Sequence, residues 1–230
     1  MILPSEFYEK SLYPLQNGVL NTLNHSGSNF FLTGGTALSR AYYNHRYSDD
    51  LDFFLSQEFD YDAELNSVLA RLRDAGFIWD TEKDYIRNKY FTTIKIGNNQ
   101  VNPILKIDFV KDTAPQFGTV QKTNLFYRTD SIRNIISNKL SAIFRYAAKD
   151  IADIREIALH ETYDWSLIIR EARQKEAGLE LVYISEIMEG MPQKEFESIA
   201  WKNKPDWELF RQDVKRITSD MINCISKNPL

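Results

Sequence analysis

The residues of this chain best suited to chemistry lie in one stretch, FFLTGGTALSRAYYNHRYSDDLDFFL, residues 30 to 55. Asp50 and Asp52 stand two apart in an otherwise apolar run. On a strand, alternation puts both carboxylates on one face, about 6 to 7 Å apart. Hard oxygen ligands so placed suit divalent cations. Upstream, residues 30 to 33 read as a buried strand that delivers the chain to Gly34 and Gly35. Glycines let backbone amides approach a phosphate closely and point at it. A helix begun at Thr36 would turn its N-terminal amides on the same anion. A third carboxylate, Asp108, sits between apolar neighbours in ILKIDFV, residues 104 to 110. A charge on a buried strand is costly unless it is paired, hydrogen-bonded or bound to metal. Metal-holding carboxylates beside a phosphate cradle are the machinery of phosphoryl or nucleotidyl transfer.

Each residue alone has a plainer reading. Gly-Gly after a strand is often only a turn, and Asp-x-Asp is common on exposed strands. Asp49 reads as a solvated loop residue, and Asp108 as half of an ion pair with Lys106 or Arg133. Their order on successive elements favours the joint chemical reading.

The elements that must position these residues follow from pattern. A helix is expected over 5–25, a turn over 26–29, a strand over 30–33 and a helix over 36–43. A polar loop over 44–49 leads to a strand over 50–55. Residues 60–75 read as an amphipathic helix closed by Gly76. Strands are expected over 89–96 and 104–110, with a turn at Gly97-Asn98-Asn99. The character changes after Pro115, and from Ser131 onward helix follows helix, with no convincing strand. Ile132, Ile135, Ile136, Leu140, Ile143, Phe144 and Ala147 form one apolar stripe at helical spacing. Further helices are expected over 150–160, 164–175, 179–189, 193–201 and 206–226, broken at Gly178, Gly190-Met191-Pro192 and Pro205. The expected division is an α/β domain over 1–118 and a helical domain over 119–230.

Composition narrows the classes. With 230 residues, 43% of them hydrophobic, the chain can bury a sizeable core. A net charge of -4 excludes a strongly basic nucleic-acid-binding shell. The single cysteine, Cys224, rules out an intramolecular disulfide and reads as a buried or inert residue. His25, His45 and His160 form no zinc-binding spacing. The opening MILPSEFYEK has neither the basic nor the apolar region of a signal peptide, and no stretch reaches the length of a membrane span. A soluble, cytoplasmic protein without membrane association is expected.

The segment Thr33-Gly34-Gly35-Thr36-Ala37-Leu38, with His45-Arg46-Tyr47-Ser48-Asp49-Asp50-Leu51-Asp52-Phe53, resembles the AbiEii/AbiGii toxin family. These are nucleotidyltransferases of abortive-infection and toxin–antitoxin systems, within the polymerase-β-type superfamily. The helical segments Asn138-Lys139-Leu140-Ser141 and Lys149-Asp150-Ile151-Ala152-Asp153 are similar to later motifs of that family. The resemblance covers residues to about 155. It implies an α+β fold, with an N-terminal polymerase-β-like domain of mixed sheet and flanking helices, then a C-terminal helical domain. It implies transfer of NMP from an NTP to an acceptor hydroxyl, with Asp50, Asp52 and Asp108 holding two Mg2+ ions. Asp108 would also assist the attacking oxygen.

By the same resemblance Gly34, Gly35, Thr36, Arg46 and Ser48 would meet the nucleotide's phosphates. Lys139 would contact the triphosphate, and Asp150 or Asp153 would be the later motif acid. The plainer alternatives are a loop ion pair of Arg46 with Asp49, a solvated Lys139 and an N-cap at Asp150. Gly35 stands where many superfamily members carry serine, and Thr36 offers a hydroxyl nearby. The implied acceptor is RNA, tRNA first, or a protein, with a cognate antitoxin as partner. Arg145, Lys149, Arg170, Arg173, Lys202 and Lys204 would face RNA, or else form a solvated charged face. A small-molecule acceptor and a catalytically silent binding module are the other readings.

Overall fold

The computed structural model describes residues 4–98 and 101–227. The chain divides into two compact units. The first comprises Met1–Thr113 and Thr119–Asp130, the second Ala114–Gly118 and Ser131–Leu230.

In the first unit five strands form a mixed sheet in the order β1-β2-β5-β4-β3. They are β1 (Phe31–Thr33), β2 (Leu51–Ser56), β3 (Tyr85–Arg87), β4 (Phe91–Asn98) and β5 (Val101–Asp112). β2 and β5 run parallel, with Asp52 beside Asp108; the other pairs are antiparallel. Alternation along β2 buries Leu51, Phe53 and Leu55 and leaves Asp52, Phe54 and Ser56 on the more open face. Beneath the buried face, Phe53 stacks on Phe109 and meets Phe126 edge-on, with ring centroids 5.5 and 5.4 Å apart. Each ring so buried contributes about 1.5–3 kcal/mol. Phe126 explains why residues 119–130 belong to this unit rather than to the helices that follow them. The same segment hydrogen-bonds to β1, where Leu32 N donates to the Arg128 carbonyl and Asp130 N to that of Leu32.

Three contiguous pieces, Pro4–Phe7, Tyr8–Leu12 and Tyr13–Asn24, make the first helix, α1, with a π-helical stretch in its middle. The helix after the Gly-Gly turn, α2, begins at Gly34 (Gly34–Thr36, then a π-helical Ala37–Tyr43). It stops at Asn44, whose φ of 56° is left-handed. Helix α3, Tyr61–Asp74, starts where the Asp60 side chain accepts from Ala63 N, and buries Leu65, Val68 and Leu72. The expected hairpin is present as β4 and β5. Asn99 of its turn lies outside the described residues. The edge strand β3 carries no apolar alternation and was not foreseen.

The second unit holds helices over Ile132–Ser141, Ala148–His160, Trp165–Lys175, Leu181–Glu189, Gln193–Ser198 and Trp207–Ile222. Ser131, Asp164 and Asp206 cap three of them through their side chains. The stripe from Ile132 to Ala147 is not one helix. It breaks at Ala142 into a 3-10 turn, Ile143–Arg145, ended by Tyr146 at φ 56°. The expectation of no strand after Ser131 is also corrected, because Tyr163–Asp164 pairs antiparallel with Ser226–Lys227. Cys224 is exposed rather than buried. Among the described residues no helix is long and apolar enough to cross a membrane.

Candidate active site

The first unit brings Gly34, Gly35, Thr36, Arg46, Ser48, Asp50, Asp52 and Asp108 to one end of its sheet. Gly34 has φ +68°, open to glycine at little cost, and a Cβ there would collide with the Asp52 carboxylate. A Cβ on Gly35 would collide with the Arg46 guanidinium and crowd Ser48 Oγ. The two glycines therefore let acid and base approach the turn from opposite sides.

The loop carrying Arg46, Ser48 and Asp50 is held by α1. Buried Gln16 donates through Nε2 to the carbonyls of Ser48 and Asp49, both at 3.0 Å. Ser48 N–H donates to Tyr13 OH at 3.3 Å, and Tyr8 OH donates to Asp49 at 2.6 Å. Tyr8 stacks on Tyr47 with centroids 4.4 Å apart. Burial pushes the Tyr13 phenol up to about 12, and burial together with Asp49 pushes Tyr8 higher still. Thr36 Oγ1 lies 2.8 Å from Ser48 Oγ and donates to the Asp50 carbonyl at 2.5 Å. That hydroxyl ties the turn to the loop that follows. Arg46 is 4% exposed, and its Nη1 donates to the Tyr47 carbonyl.

Asp108 Oδ1 accepts from Thr93 Oγ1 and Oδ2 from Lys106 Nζ, both at 2.6 Å. Lys106 Nζ also lies 3.9 Å from Asp50 Oδ2. Burial works against the Lys106 charge. The bond to Asp108 and the charges of Asp108, Asp50 and Asp52 outweigh it and hold the pKa above the usual lysine value. The ion pair considered for Asp108 thus exists, with Lys106. Arg133, the other partner considered, pairs with Glu171 in the second unit. Among the described residues no three histidine, cysteine, aspartate or glutamate side chains converge so as to hold an ion. The Lys106 ammonium is a cation on this carboxylate set. The set is nonetheless of hard oxygens drawn to one positive charge, as a divalent cation requires.

Lys139 and Asp150 meet in the second unit. Lys139 Nζ lies 2.7 Å from Asp150 Oδ1 and 2.6 Å from Asp153 Oδ2, and Arg145 Nε lies 2.5 Å from Asp150 Oδ2. Lys139 is 5% exposed and both aspartates 0%. The solvated-lysine reading therefore fails. So does the N-cap reading of Asp150, since Ala147 holds the cap position. Burial opposes the Asp150 charge, but Lys139 and then Arg145 hold its carboxyl below the usual range. Among the basic residues suggested for RNA, Arg145, Arg173 and Lys204 already face Asp150, Glu180 and Glu197.

Sequence reasoning missed the anchors Gln16, Tyr8 and Tyr13, which lie 32 to 41 residues from their targets. It also missed Asp130, fully buried and bonded at 2.6 Å by Thr33 Oγ1. Lys106 was legible, being two residues from Asp108 on the same strand face.

A family model described as the nucleotidyl transferase AbiEii toxin of type IV toxin–antitoxin systems matches residues 19–223. The chain belongs to the AbiEii family. It is therefore a nucleotidyltransferase of a toxin family, which implies an NTP substrate, usually a divalent metal, and a cognate antitoxin. Two solved structures share the fold of this AbiEii-family chain. One is JHP933 from Helicobacter pylori, with TM-score 0.65 and 18% identity over 92% of this chain and 90% of that one. The other is a candidate nucleotidyltransferase from H. pylori, with TM-score 0.63 and 20% identity over 95% and 99%. Comparison with curated protein sequences returns no match.

Proposed function

We propose that this chain transfers NMP from an NTP to a hydroxyl of an RNA, tRNA first, releasing pyrophosphate, as the toxin of a toxin–antitoxin pair in the cytoplasm. The observation that carries the reading is the register of β2 against β5. It sets Asp52 beside Asp108, with the Asp52 carboxylate packed against the Gly34 turn. In this reading Asp50, Asp52 and Asp108 hold Mg2+, which supplies Lewis-acid stabilisation of charge on the reacting phosphate. The Gly34–Gly35 backbone and the N-terminus of α2 orient the phosphates, and buried Arg46 offers a fixed positive charge to their oxygens. Ser48 and Thr36 keep that loop in register. Asp108, restrained by Thr93, is the acid nearest in type to accept the acceptor's proton. Lys139, Asp150 and Asp153 form a buried ion cluster that holds the helical unit together. The helical unit acts as a domain of its own that presents the acceptor.

A second reading is transfer to a small-molecule acceptor. A cavity of about 320 Å³ in the second unit is lined by Tyr146, Ile151, Glu186, Met191 and Glu195. One assay separates the two. Purified protein is incubated with Mg2+, each α-labelled NTP and total bacterial RNA, beside the Asp52→Ala variant. Label in a tRNA-sized band that the variant loses is the expected result. Label in protein or in small acceptors instead would overturn the RNA assignment. Equal label in the variant, or transfer undiminished by chelator, would overturn the metal site.

A further inference from the structure

We infer that Lys106 is a resident counter-ion of the Asp50, Asp52 and Asp108 carboxylates, one that a divalent cation must displace before it can bind. The inference rests on the reading of those three as the metal-holding set. Parallel pairing of β2 with β5 sets Asp52 against Asp108, so the residues two before each, Asp50 and Lys106, fall side by side. Lys106 thus stands between the Asp50 and Asp108 carboxylates, with Asp52 in register beside Asp108. Lys106 Nζ bonds Asp108 at 2.6 Å and stands 3.9 Å from Asp50. Across the other edge β4 places Lys95 in register with Lys106. That like charge biases the Lys106 stem toward the acids. The Lys106 side chain is 40% exposed. It is a flexible four-carbon stem ending in a compact, well-hydrated charge, so it can leave for water without disturbing the core. A lysine so placed competes with a metal for the same oxygens. It offsets part of the carboxylates' charge in idle protein and raises the metal concentration needed to fill the set.

The test is titration of nucleotide-free protein with Mn2+, read by the electron paramagnetic resonance signal of the free ion. The wild-type chain is compared with Lys106→Met and Lys106→Arg, and with Lys106→Gln as a second neutral variant. The neutral variants are expected to bind Mn2+ about ten-fold more tightly, about 1.4 kcal/mol, and Lys106→Arg to stay near wild type. Neutral variants that bind equally or more weakly overturn the inference and leave the metal reading standing. No binding to any of the proteins also overturns it. The dependence of transfer on Mg2+ and Asp52 then decides separately whether the metal reading falls too.

Discussion

Two groups of acids and bases in this molecule use the same residue types to opposite ends. Around β2 and β5, one lysine faces three aspartates, and their side chains are partly open. Lys106 is 40% exposed, Asp50 33% and Asp108 13%. In the helical unit Lys139 and Arg145 face two aspartates whose side chains are wholly buried. An isolated buried charge is so costly that the second group holds together only with its partners in place. The first group is partly solvated and rich in negative charge, with Asp108 more buried than Lys106 or Asp50. The contrast teaches that burial and charge balance, rather than residue type, set the two groups apart.

That contrast can be broken or sharpened. The largest effect is expected at Asp52. Asp52→Asn should lower nucleotidyl transfer about a thousand-fold or more while the urea midpoint stays within error of wild type. A large fall in stability would show that Asp52 belongs with the structural group. Asp150→Asn should do the reverse and destabilise by about 3–5 kcal/mol, measured by urea unfolding at neutral pH. An unchanged midpoint would erase the distinction.

Acid adds a sharper test. The folded Asp150 pKa lies below its ordinary 3.8. Its contribution is therefore fully present above the usual carboxylate range and lost as pH falls through the depressed value. Unfolding free energy measured downward from pH 5 should fall more steeply in the wild type than in Asp150→Asn. Gly34→Ala should cost about 1–2 kcal/mol for its left-handed backbone and also depress transfer, because the new methyl pushes the Asp52 carboxylate aside. Smallest of all, Lys204→Ala removes an exposed pair with Glu197. It should move the midpoint by less than about 1 kcal/mol.

Much of the site was legible because strand alternation and Gly-Gly turns are local signals. Asp50 and Asp52 share a face by their spacing alone, and the apolar run around Asp108 marks a strand. What escaped was set by contacts between distant residues. Gln16 looks like any polar helix residue until the fold lays it against the Ser48 and Asp49 carbonyls. Thr36 offered a free hydroxyl in sequence but is tied to Asp50 in space. The stripe from Ile132 to Ala147 keeps helical spacing across a real break, because Ile143 stays buried through the 3-10 turn. Two-residue strands such as Tyr163–Asp164 carry no periodicity to read. Phe126 and the bridge from Leu32 to Thr129 tie residues 119–130 to the sheet through contacts that no local pattern announces.

The pairing of β2 with β5 also dictates when in the life of a chain the site first exists. Asp52 and Asp108 are 56 positions apart (108 − 52) and become neighbours only through that parallel ladder. Parallel strands close long loops and pair late relative to local helices. On a ribosome, a nascent chain therefore cannot bring Asp52 and Asp108 together until β5 has emerged and docked.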